Sequence, residues 1–459
     1  MKKSILKKLK AIVGPKYCTD SKADLISYSY DATNLRYMPE AVVFPQKAHE
    51  VAAVLRLANK EHFFVTPRGA GTGMTGGALA TGGGVVMVMT RMNRIVSIDE
   101  DNMVAEVEPG VITGMFQSEV ESRGLFYPPD PSSAAYSTIG GNVAECAGGA
   151  RAVKYGVTRD YVLGLSVVLA SGEIIHTGVK TAKGVAGYDM TRLITGSEGT
   201  LAVITRIILR LIPLPKAVRT MCAVFDRMED AAKTVAVIIR SGIIPRTLEY
   251  MDRSAIRCAE AYLNIGLPTD AEALLLIETD GREETAKKAI SSLCALCLAH
   301  GAGSVKEAAT RQEAQDLWKA RKAISPALFK LNPDKISEDI VVPRSRIPDL
   351  VKKIDALRKE TGLIMVSFGH AGDGNIHFNI MFDRRNGSDL KKAESAVTAL
   401  FEYTIELGGT ISGEHGIGIT KLPFLSIEMS RIEIDLMRRI KKAFDPQNIL
   451  NPDKIFHTS

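Results

Sequence analysis

Two glycine-rich stretches hold the side chains that most strongly suggest chemistry in this sequence. The first, SFGHAGDGNIHFN, carries His370 and His377 on either side of a turn, and the second, SGEHGIG, adds Glu414 and His415. Two imidazoles and one carboxylate form a three-ligand set that leaves coordination positions open for a substrate, as in catalytic metal sites. The pattern therefore favours a divalent-metal site over a pair of structural histidines, which stays open as the alternative.

The ligand types narrow the choice of metal. Imidazole and carboxylate ligands suit zinc, manganese or iron, and we expect zinc first. LIMVSFG reads as a strand that enters the turn, and IHFNIMF as the strand that leaves it. Side chains alternate along a strand, so His377 and Asn379 point to one face, where the turn can bring His370 beside them. Asp373 either orients a histidine ring or forms the turn.

Three further glycine clusters predict a binding site for a large ligand that contains phosphate. PRGAGTGMTGGA follows a strand, and its backbone N–H groups can form a nest for phosphate because no Cβ intervenes. It matches neither the Rossmann pattern nor the Walker loop. Glycine-rich segments also occur at residues 128–156 and in GSEGTLAVIT. Three separated clusters indicate a dinucleotide lying along a sheet, although each alone is typical of a turn in a β-protein.

The elements around these motifs divide the chain into two regions. Near the N-terminus, AVVFP, an amphipathic helix over 48–60 and HFFVTP predict a βαβ unit. This strand-rich region closes with TLAVITRIILRLIPLP. Beyond it, helices over 225–242, 283–301 and 347–362 alternate with strands over 273–280 and 363–369. Antiparallel strands covered by helices make the second region an α+β domain.

Composition excludes several classes of protein. The 459 residues are 46% hydrophobic and 24% charged, with a net charge of +6, which is ordinary for a folded soluble protein. Basic residues are scattered without interleaved aromatics, so we expect no nucleic-acid partner. No stretch reaches the roughly 20 apolar residues of a transmembrane helix, and the basic N-terminus lacks the apolar core of a secretory signal. The cysteines form neither a disulfide ladder nor an iron–sulfur spacing. We therefore expect a cytoplasmic protein, with peripheral contact to the inner membrane face as the alternative.

The motifs together resemble one flavoprotein family. They are PRGAGTGMTGG, YPPDPSS, GGNVAECAGG, RAVKYGVTRDYVLGL, GSEGTLAVIT, GHAGDGNIHFN, SGEHGIG and NPDK, and they extend to Lys454. The sequence is similar to the FAD-linked D-2-hydroxy acid dehydrogenases, which include the glycolate oxidase FAD subunit, D-lactate dehydrogenases and D-2-hydroxyglutarate dehydrogenase within the vanillyl-alcohol-oxidase-like FAD superfamily. The resemblance implies an α+β fold with a two-subdomain FAD-binding domain over 1–217, an antiparallel-sheet substrate or cap domain covered by helices over 218–410, and a C-terminal segment over 411–459 that returns to the FAD domain.

The resemblance assigns residues to FAD. The glycine loop matches the pyrophosphate-binding segment, and the later clusters match residues near the isoalloxazine and ribityl groups. The implied FAD-binding residues are Arg68, Gly69, Ala70, Gly71, Thr72, Gly73, Met74, Thr75, Gly76, Gly77, Asp130, Pro131, Thr138, Gly141, Asn142, Ala144, Gly148, Gly149, Tyr155, Glu198, Val203 and Asn451. Thr72 stands where some members of the superfamily carry a histidine linked to FAD, so non-covalent FAD is implied. Cys146 stands where the family usually has asparagine, and a thiol donates hydrogen bonds only weakly.

The resemblance also implies roles for the polar residues of the second region. The implied metal ligands are His370, His377 and Glu414, and His415 is the implied catalytic base. The sequence around the only tryptophan implies that Arg321 binds a substrate carboxylate, which suits its planar, bidentate guanidinium. We add two further substrate-binding residues: Ser325, one turn along the same helix face, and Asn379.

These assignments imply a reaction and its partners. The expected enzyme is an FAD-dependent, divalent-metal-assisted dehydrogenase that oxidises a D-2-hydroxy acid, preferably D-lactate or glycolate, to the 2-oxo acid by hydride transfer to flavin N5. Electrons are expected to pass to an acceptor protein, either an iron–sulfur subunit or an electron-transfer flavoprotein, or to a quinone. A homodimer is left open. The alternatives are a zinc-dependent hydrolase and a non-catalytic flavin subunit of an electron-transfer complex.

Overall fold

The helix predicted over 48–60 forms at Ala48–Glu61, in the first of two units into which the chain folds. The computed structural model describes residues 1–457. The first unit comprises Met1–Gly148, Val157–Leu214 and the chain from Glu414 onward, and the second comprises Gly149–Gly156 and Pro215–Gly413. The domain limits expected from the sequence stay a prediction.

Helices and strands alternate along most of the chain. The α-helices are α1 (Lys3–Val13), α2 (Lys22–Ser27), α3 (Ala48–Glu61), α4 (Thr113–Ser122), α5 (Ile139–Glu145), α6 (Ala152–Tyr155), α7 (Met190–Ile194), α8 (Met228–Arg240), α9 (Arg253–Leu263), α10 (Glu283–Ala299), α11 (Arg311–Ala327), α12 (Ile347–Thr361), α13 (Gly387–Glu406), α14 (Leu425–Glu428) and α15 (Arg431–Phe444). The strands are β1 (Cys18–Thr19), β2 (Ala41–Val43), β3 (Val65–Arg68), β4 (Val85–Val88), β5 (Ile95–Asp99), β6 (Val104–Val107), β7 (Leu125–Phe126), β8 (Val162–Leu169), β9 (Ile174–Gly178), β10 (Ala202–Arg210), β11 (Ile212–Pro213), β12 (Ala217–Phe225), β13 (Thr247–Asp252), β14 (Ala273–Gly281), β15 (Ala302–Glu307), β16 (Asp334–Val341), β17 (Ile364–His370) and β18 (Asn375–Phe382).

The first unit contains a four-stranded sheet in the order β1-β2-β4-β3. β2 and β3 both pair in parallel with β4, and α3 connects them, so the predicted βαβ unit is present. β3 begins at Val65, later than the predicted strand over 62–67, because His62 ends α3 in the left-handed conformation with a φ of 55°. α1 packs its apolar face into the same core as α3. This sheet places the glycine loop directly after β3.

A five-stranded sheet and the C-terminal tail complete the first unit. The sheet has the order β5-β6-β10-β8-β9, and all its strands are antiparallel. The tail lies along β3, where the Val65 N–H donates to the Ile449 carbonyl oxygen at 2.8 Å and the Asn451 N–H donates to the Val65 carbonyl oxygen at 2.9 Å. These bonds hold the predicted FAD-binding residue Asn451 beside the strand that leads into the glycine loop.

The second unit is built on a seven-stranded antiparallel sheet in the order β15-β12-β14-β13-β17-β18-β16. One face packs against α9 and α11 through a buried core that includes Met251, Ile324 and Phe368. The other face meets α10, where the Thr279 hydroxyl donates to the Ala286 carbonyl oxygen at 2.9 Å. An antiparallel sheet covered by helices matches the α+β class predicted from the sequence. Within residues 1–457, every helix is too short or too polar to cross a lipid bilayer.

Candidate functional site

His370 and His377 lie on the neighbouring strands β17 and β18, which form a hairpin. The register pairs His370 with Asn375 and Phe368 with His377, so both imidazoles are on one face of the sheet. Their Nε2 atoms are 3.3 Å apart, and both side chains are buried. The turn requires glycine at Gly374, where φ is 90° and a Cβ would collide with a backbone carbonyl oxygen.

The separation of the two imidazoles fits a shared metal ion. Zinc binds imidazole nitrogen at about 2.0–2.1 Å, and two such ligands at a tetrahedral angle are about 3.3 Å apart. Glu414 follows Gly413, whose N–H donates to the Asp339 carbonyl oxygen at 3.1 Å. His370, His377 and Glu414 each offer one ligand atom, and these three atoms lie within 4.8 Å of one another. The residues present therefore fit zinc, manganese or iron.

A buried glutamate that the sequence analysis missed contacts the first histidine. Glu249 lies on β13, beside β17, and its side chain is buried. Glu249 Oε1 is 2.6 Å from His370 Nδ1. When Nδ1 carries the proton and donates it to the carboxylate, Nε2 keeps its lone pair for a ligand. The signal in the sequence was a charged residue inside the apolar run TLEYM, since a buried carboxylate needs partners.

Arg321 on α11 lies on the other side of the same glutamate. Its Nη2 is 2.8 Å from Glu249 Oε2, and its guanidinium lies 4.7 Å from the centre of the Phe368 ring. The ion pair is not directed as a hydrogen bond, so Nε and Nη2 have no hydrogen-bond acceptor among residues 1–457. Trp318, one turn earlier, donates from Nε1 to Glu278 Oε1 at 2.6 Å and fixes the helix to the sheet. A buried guanidinium with two unused donors suits a carboxylate ligand.

The other two residues predicted to bind substrate lie in this unit as well. The Ser325 hydroxyl, one turn after Arg321, accepts a hydrogen bond from Lys335 Nζ at 3.1 Å. Burial lowers the pKa of Lys335. Asn379 is buried on the same sheet face as His377, and its Oδ1 has no hydrogen-bond partner within the described residues. These positions are consistent with contact to a small polar ligand, and their roles stay predictions.

The glycine loop and α5 form a cradle of small residues in the first unit. A Cβ on Gly69 would collide with Thr138 Oγ1, so the loop lies against the start of α5. Thr138 caps α5 by accepting the N–H of Gly141 at 3.2 Å. Arg68 donates from Nη2 to the Tyr30 carbonyl oxygen at 2.8 Å, so its side chain braces the base of the loop. Backbone N–H groups in such a cradle can approach a phosphate closely.

Two side chains predicted to bind FAD form hydrogen bonds with the backbone of His415, the predicted catalytic base, and of the residues that follow it. Glu198 has a φ of 53°, and its carboxylate accepts the N–H groups of Ile417 at 2.7 Å and Gly418 at 2.8 Å. The Thr75 hydroxyl donates to the His415 carbonyl oxygen at 2.9 Å. The position of His415 in the first unit is therefore set from the glycine loop and from the turn before β10.

A second buried carboxyl, missed by the sequence analysis, lies beside Glu198. Glu145 Oε2 and Glu198 Oε1 are each 2.7 Å from the point that a Cβ on Gly416 would occupy. Burial raises the pKa of Glu145 well above its usual value, and the charge of Glu198 adds to the shift. Burial also raises the pKa of Glu198, against the two N–H bonds that lower it. Two carboxyls buried this close together disfavour the state in which both are ionised.

Two asparagines predicted to bind FAD make well-defined contacts. Asn451 donates from Nδ2 to the carbonyl oxygens of Gly77 at 2.8 Å and Glu198 at 2.7 Å. Asn142 donates from Nδ2 to Thr113 Oγ1 at 2.7 Å. Asn451 thus ties the C-terminal tail to the end of the glycine loop, and its contact with FAD stays a prediction.

Three further predicted residues occupy different surroundings. The Val203 side chain packs in the hydrophobic core. A Cβ on Gly148 would lie 2.5 Å from Glu414 Oε1, so this glycine gives the carboxylate room. Tyr155 belongs to the second unit, where its hydroxyl donates to Asp280 Oδ2 at 2.8 Å. A contact of each with FAD stays a prediction.

Cys146 ends α5 in the left-handed conformation, with a φ of 54°. Its side chain is buried, and Arg159 Nε donates to its Sγ at 3.1 Å. Asparagine adopts this conformation more readily than most other residues with a Cβ. This preference is a physical reason for the asparagine that the family usually has at this position.

Comparison with solved structures identifies the class of fold. The structure of p-cresol methylhydroxylase with substrate bound matches 99% of this chain and 96% of that chain, with a TM-score of 0.80 at 16% sequence identity. The fold is therefore that of the vanillyl-alcohol-oxidase type of FAD-binding protein, which confirms the predicted fold class. A family described as FAD binding domain matches residues 39–178, and one described as FAD linked oxidases, C-terminal domain, matches residues 214–455.

Comparison with curated proteins identifies the family. The glycolate oxidase subunit GlcD of Bacillus subtilis (strain 168) is 47% identical over 455 residues, which cover 99% of this chain and 97% of that protein. The D-lactate dehydrogenase of Anaerostipes hadrus is 38% identical over 426 residues, which cover 91% of this chain and 89% of that protein. The chain belongs to the family of FAD-linked oxidoreductases that its motifs predicted, and the prediction of an FAD-linked oxidoreductase is confirmed.

Proposed function

We propose that this protein is an FAD-dependent, divalent-metal-assisted dehydrogenase that oxidises a D-2-hydroxy acid, preferably D-lactate or glycolate, to the 2-oxo acid. The observation that carries the proposal is Arg321, a buried guanidinium with two unused donors that shares Glu249 with a metal-ligand histidine. A 2-hydroxy acid offers a carboxylate for such an arginine and a neighbouring hydroxyl for a metal. Relatives named for glycolate and D-lactate support this substrate class.

The residues of the chain divide the work of this reaction. Arg321 binds the substrate carboxylate, and His370, His377 and Glu414 hold the metal. A divalent metal held there would lower the pKa of the substrate hydroxyl, and bound FAD would supply the hydride acceptor, flavin N5. His415 takes the hydroxyl proton as general base. The substrate loses one hydride from C2 and one proton from its hydroxyl oxygen. The carbon and oxygen that remain form the carbonyl of the 2-oxo acid.

A panel of hydroxy acids tests the proposed reaction. Under anaerobic conditions, D-lactate or glycolate should bleach the visible absorbance of the flavin, and L-lactate should not. D-2-Hydroxyglutarate belongs in the panel because it tests the size of the substrate side chain. Failure of every D-2-hydroxy acid to reduce a flavin-loaded, metal-loaded protein would contradict the proposal.

We propose that FAD is held without a covalent bond. Thr72 occupies the loop position at which a histidine would be needed for a covalent link, and a threonine hydroxyl is a much weaker nucleophile than an imidazole. Acid precipitation should therefore release all of the yellow colour into the supernatant. Flavin that stays on the washed pellet would count against this proposal.

The electron acceptor is proposed to be a protein, either an iron–sulfur subunit or an electron-transfer flavoprotein, or a quinone. The word subunit in the name of the Bacillus subtilis relative supports a partner protein. The reduced flavin should be reoxidised faster by a quinone analogue or by an added electron-transfer flavoprotein than by NAD. Rapid reoxidation by NAD would overturn this part of the proposal.

A further inference from the structure

Glu249 contacts both a predicted metal-ligand histidine and the predicted carboxylate-binding arginine of the second unit. Its Oε1 is 2.6 Å from His370 Nδ1, and its Oε2 is 2.8 Å from Arg321 Nη2. It lies on β13, next to the strand of His370, and it is fully buried. A carboxylate so far from water is costly unless cations or N–H donors surround it, and these two partners supply them.

The contact with His370 fixes the orientation of the imidazole. The Glu249 carboxylate accepts a hydrogen bond from Nδ1–H, which leaves the lone pair on Nε2, directed away from Glu249. Nε2 is the atom that lies 3.3 Å from His377 Nε2. Carboxylates that bond the far nitrogen of a ligating histidine hold its ring and raise its basicity, and their loss typically costs 10–100-fold in metal affinity.

The contact with Arg321 places the guanidinium without using up its donors. The pair is close enough for strong attraction, but neither Glu249 Oε2 nor Arg321 Nη2 makes a hydrogen bond within the described residues. Arg321 therefore stays beside the metal-ligand histidine and keeps Nε–H and Nη2–H for an incoming anion. The Phe368 ring, 4.7 Å from the guanidinium carbon, restricts the remaining freedom of the side chain.

We propose that Glu249 is a positioning residue that sets the distance between the metal ligand His370 and the carboxylate-binding Arg321. A 2-hydroxy acid has its carboxylate and hydroxyl on adjacent carbons, so a site for it needs a fixed spacing between cation and metal. One buried carboxylate, hydrogen-bonded to His370 and ion-paired with Arg321, provides that spacing. The identity of the ligand rests on the proposed function, whereas the contacts of Glu249 do not depend on it.

Zinc binding to metal-free, FAD-loaded protein tests the inference without any catalytic assay. Glu249→Gln should weaken zinc binding, measured by competition with a chromophoric chelator, about 10–100-fold. The FAD content should not change. Glu272→Gln is the matched control, because Glu272 also pairs with an arginine in this unit but at the surface, so it should bind zinc as the wild type does.

The kinetic readout separates positioning from a general loss of structure. Glu249→Gln should also raise KM for D-lactate or glycolate more than it lowers kcat, since Arg321 loses its fixed place. If Glu249→Gln yields no folded protein, Glu249→Asp, which withdraws the carboxyl by one methylene, is measured in the same titration and should also lose affinity. Wild-type zinc affinity in a folded Glu249 variant would overturn the inference.

The two proposals fail in different ways. A wild-type protein that binds zinc but oxidises no hydroxy acid refutes the proposed function and leaves the role of Glu249 at the metal to be decided by the titration. A wild-type protein that oxidises D-lactate, with unchanged zinc affinity in Glu249→Gln, refutes only the positioning role. A wild-type protein that binds neither zinc nor manganese refutes both.

Discussion

His370 Nε2 and His377 Nε2 are 3.3 Å apart, and the rings are nearly perpendicular, at 86°. Two neutral imidazoles at this distance cannot both direct a lone pair at the other without repulsion. A cation between them removes the repulsion, and the separation equals the about 3.3 Å expected for two nitrogens on one tetrahedral zinc. The pair therefore predicts dependence on a metal.

Removal of the metal should stop the reaction and leave the flavin in place. The metal is expected to supply several kcal/mol of charge stabilisation, so chelation should slow flavin reduction at least about 100-fold. Stopped-flow absorbance before and after chelation, and after addition of zinc or manganese, measures the effect. His377→Ala should behave like chelated protein, whereas His300→Ala, an exposed histidine of the same unit, should not. Full activity in protein shown to be metal-free would exclude a catalytic metal.

Arg321→Lys should weaken substrate binding while the flavin and metal contents stay constant. A lysine keeps the charge but loses the planar pair of donors that matches a carboxylate, so we expect KM to rise about 10–100-fold. Steady-state kinetics with an artificial electron acceptor gives the value. Lys322→Ala, on the exposed side of the same helix, is the control and should leave KM unchanged. An unchanged KM in Arg321→Lys would remove the arginine from the carboxylate site.

Glu198→Gln should loosen the segment that carries His415. The amide has one oxygen for two N–H donors and turns a donor of its own towards them, so we expect a loss of about 2–4 kcal/mol in the free energy of unfolding. The rate of flavin reduction should fall more than KM rises. Glu260→Gln serves as the comparison, because Glu260 also accepts backbone N–H groups, from Leu267 at 2.8 Å and Gly266 at 3.0 Å, but it is near the surface. Equal losses in both variants would argue against a special role for the buried residue.

Because Lys454 is buried, the free energy of unfolding should increase as the pH rises above neutrality. Burial lowers the pKa of Lys454 from 10.5 to about 8, although its Nζ donates to the Leu79 carbonyl oxygen and Thr81 Oγ1, each at 2.9 Å. Between these two pKa values the unfolded chain binds one proton more than the folded chain, so stability increases with pH, by about 3 kcal/mol in total. Below the lower value both states are protonated and the contribution no longer changes.

Chemical denaturation across this pH range checks the sign. The wild type should gain stability relative to Lys454→Met, which has no proton to lose at this position. Parallel pH profiles of the two proteins would show that the folded and unfolded states bind this proton equally. Lys442→Met, at an exposed position of α15, is the control and should follow the wild type.

Cys146→Asn should stabilise the protein. The residue has a φ of 54° at the end of α5, and asparagine accepts this conformation at lower cost than cysteine. We expect a gain of about 0.5–1 kcal/mol, visible as a higher midpoint of thermal unfolding. Cys146→Ala removes the thiol but keeps a Cβ without a compensating polar group, so it should show no gain. A gain in the alanine variant as large as in the asparagine variant would attribute the effect to the thiol.

The sequence predicted those parts of the fold that depend on local patterns. The apolar segments around the glycine turn located β17 and β18, and amphipathic patterns located α3, α10 and α12 within a few residues of their ends. The strand expected over 62–67 was misplaced because the left-handed turn at His62 delays its start. The periodicity of apolar residues does not show where a helix ends when the last residue is not glycine, the usual residue at such a turn.

The site was predictable only where its residues share a motif. His370 and His377 stand in one hairpin, and glycines mark the turn between them. Glu249 is 121 residues away from His370, and Glu198 is 219 residues away from Ile417, so no spacing in the sequence reveals either contact. Both glutamates act through strands or turns that become neighbours only when the sheets form. Glu249 was identified only in the structure, whereas Glu198 was predicted to bind FAD and only its contacts with the backbone of Ile417 and Gly418 were new.

The hairpin that joins β17 to β18 has a consequence for how the proposed enzyme would be supplied with metal. Its two histidines are brought together by a short turn and by strand pairing, with Glu249 holding one ring, so contacts within the protein set their spacing. Small zinc domains collapse when the ion leaves. This protein should instead remain folded after the ion leaves and should bind another ion afterwards. The fraction of working enzyme would then follow the free metal concentration of the cell, at a constant amount of protein.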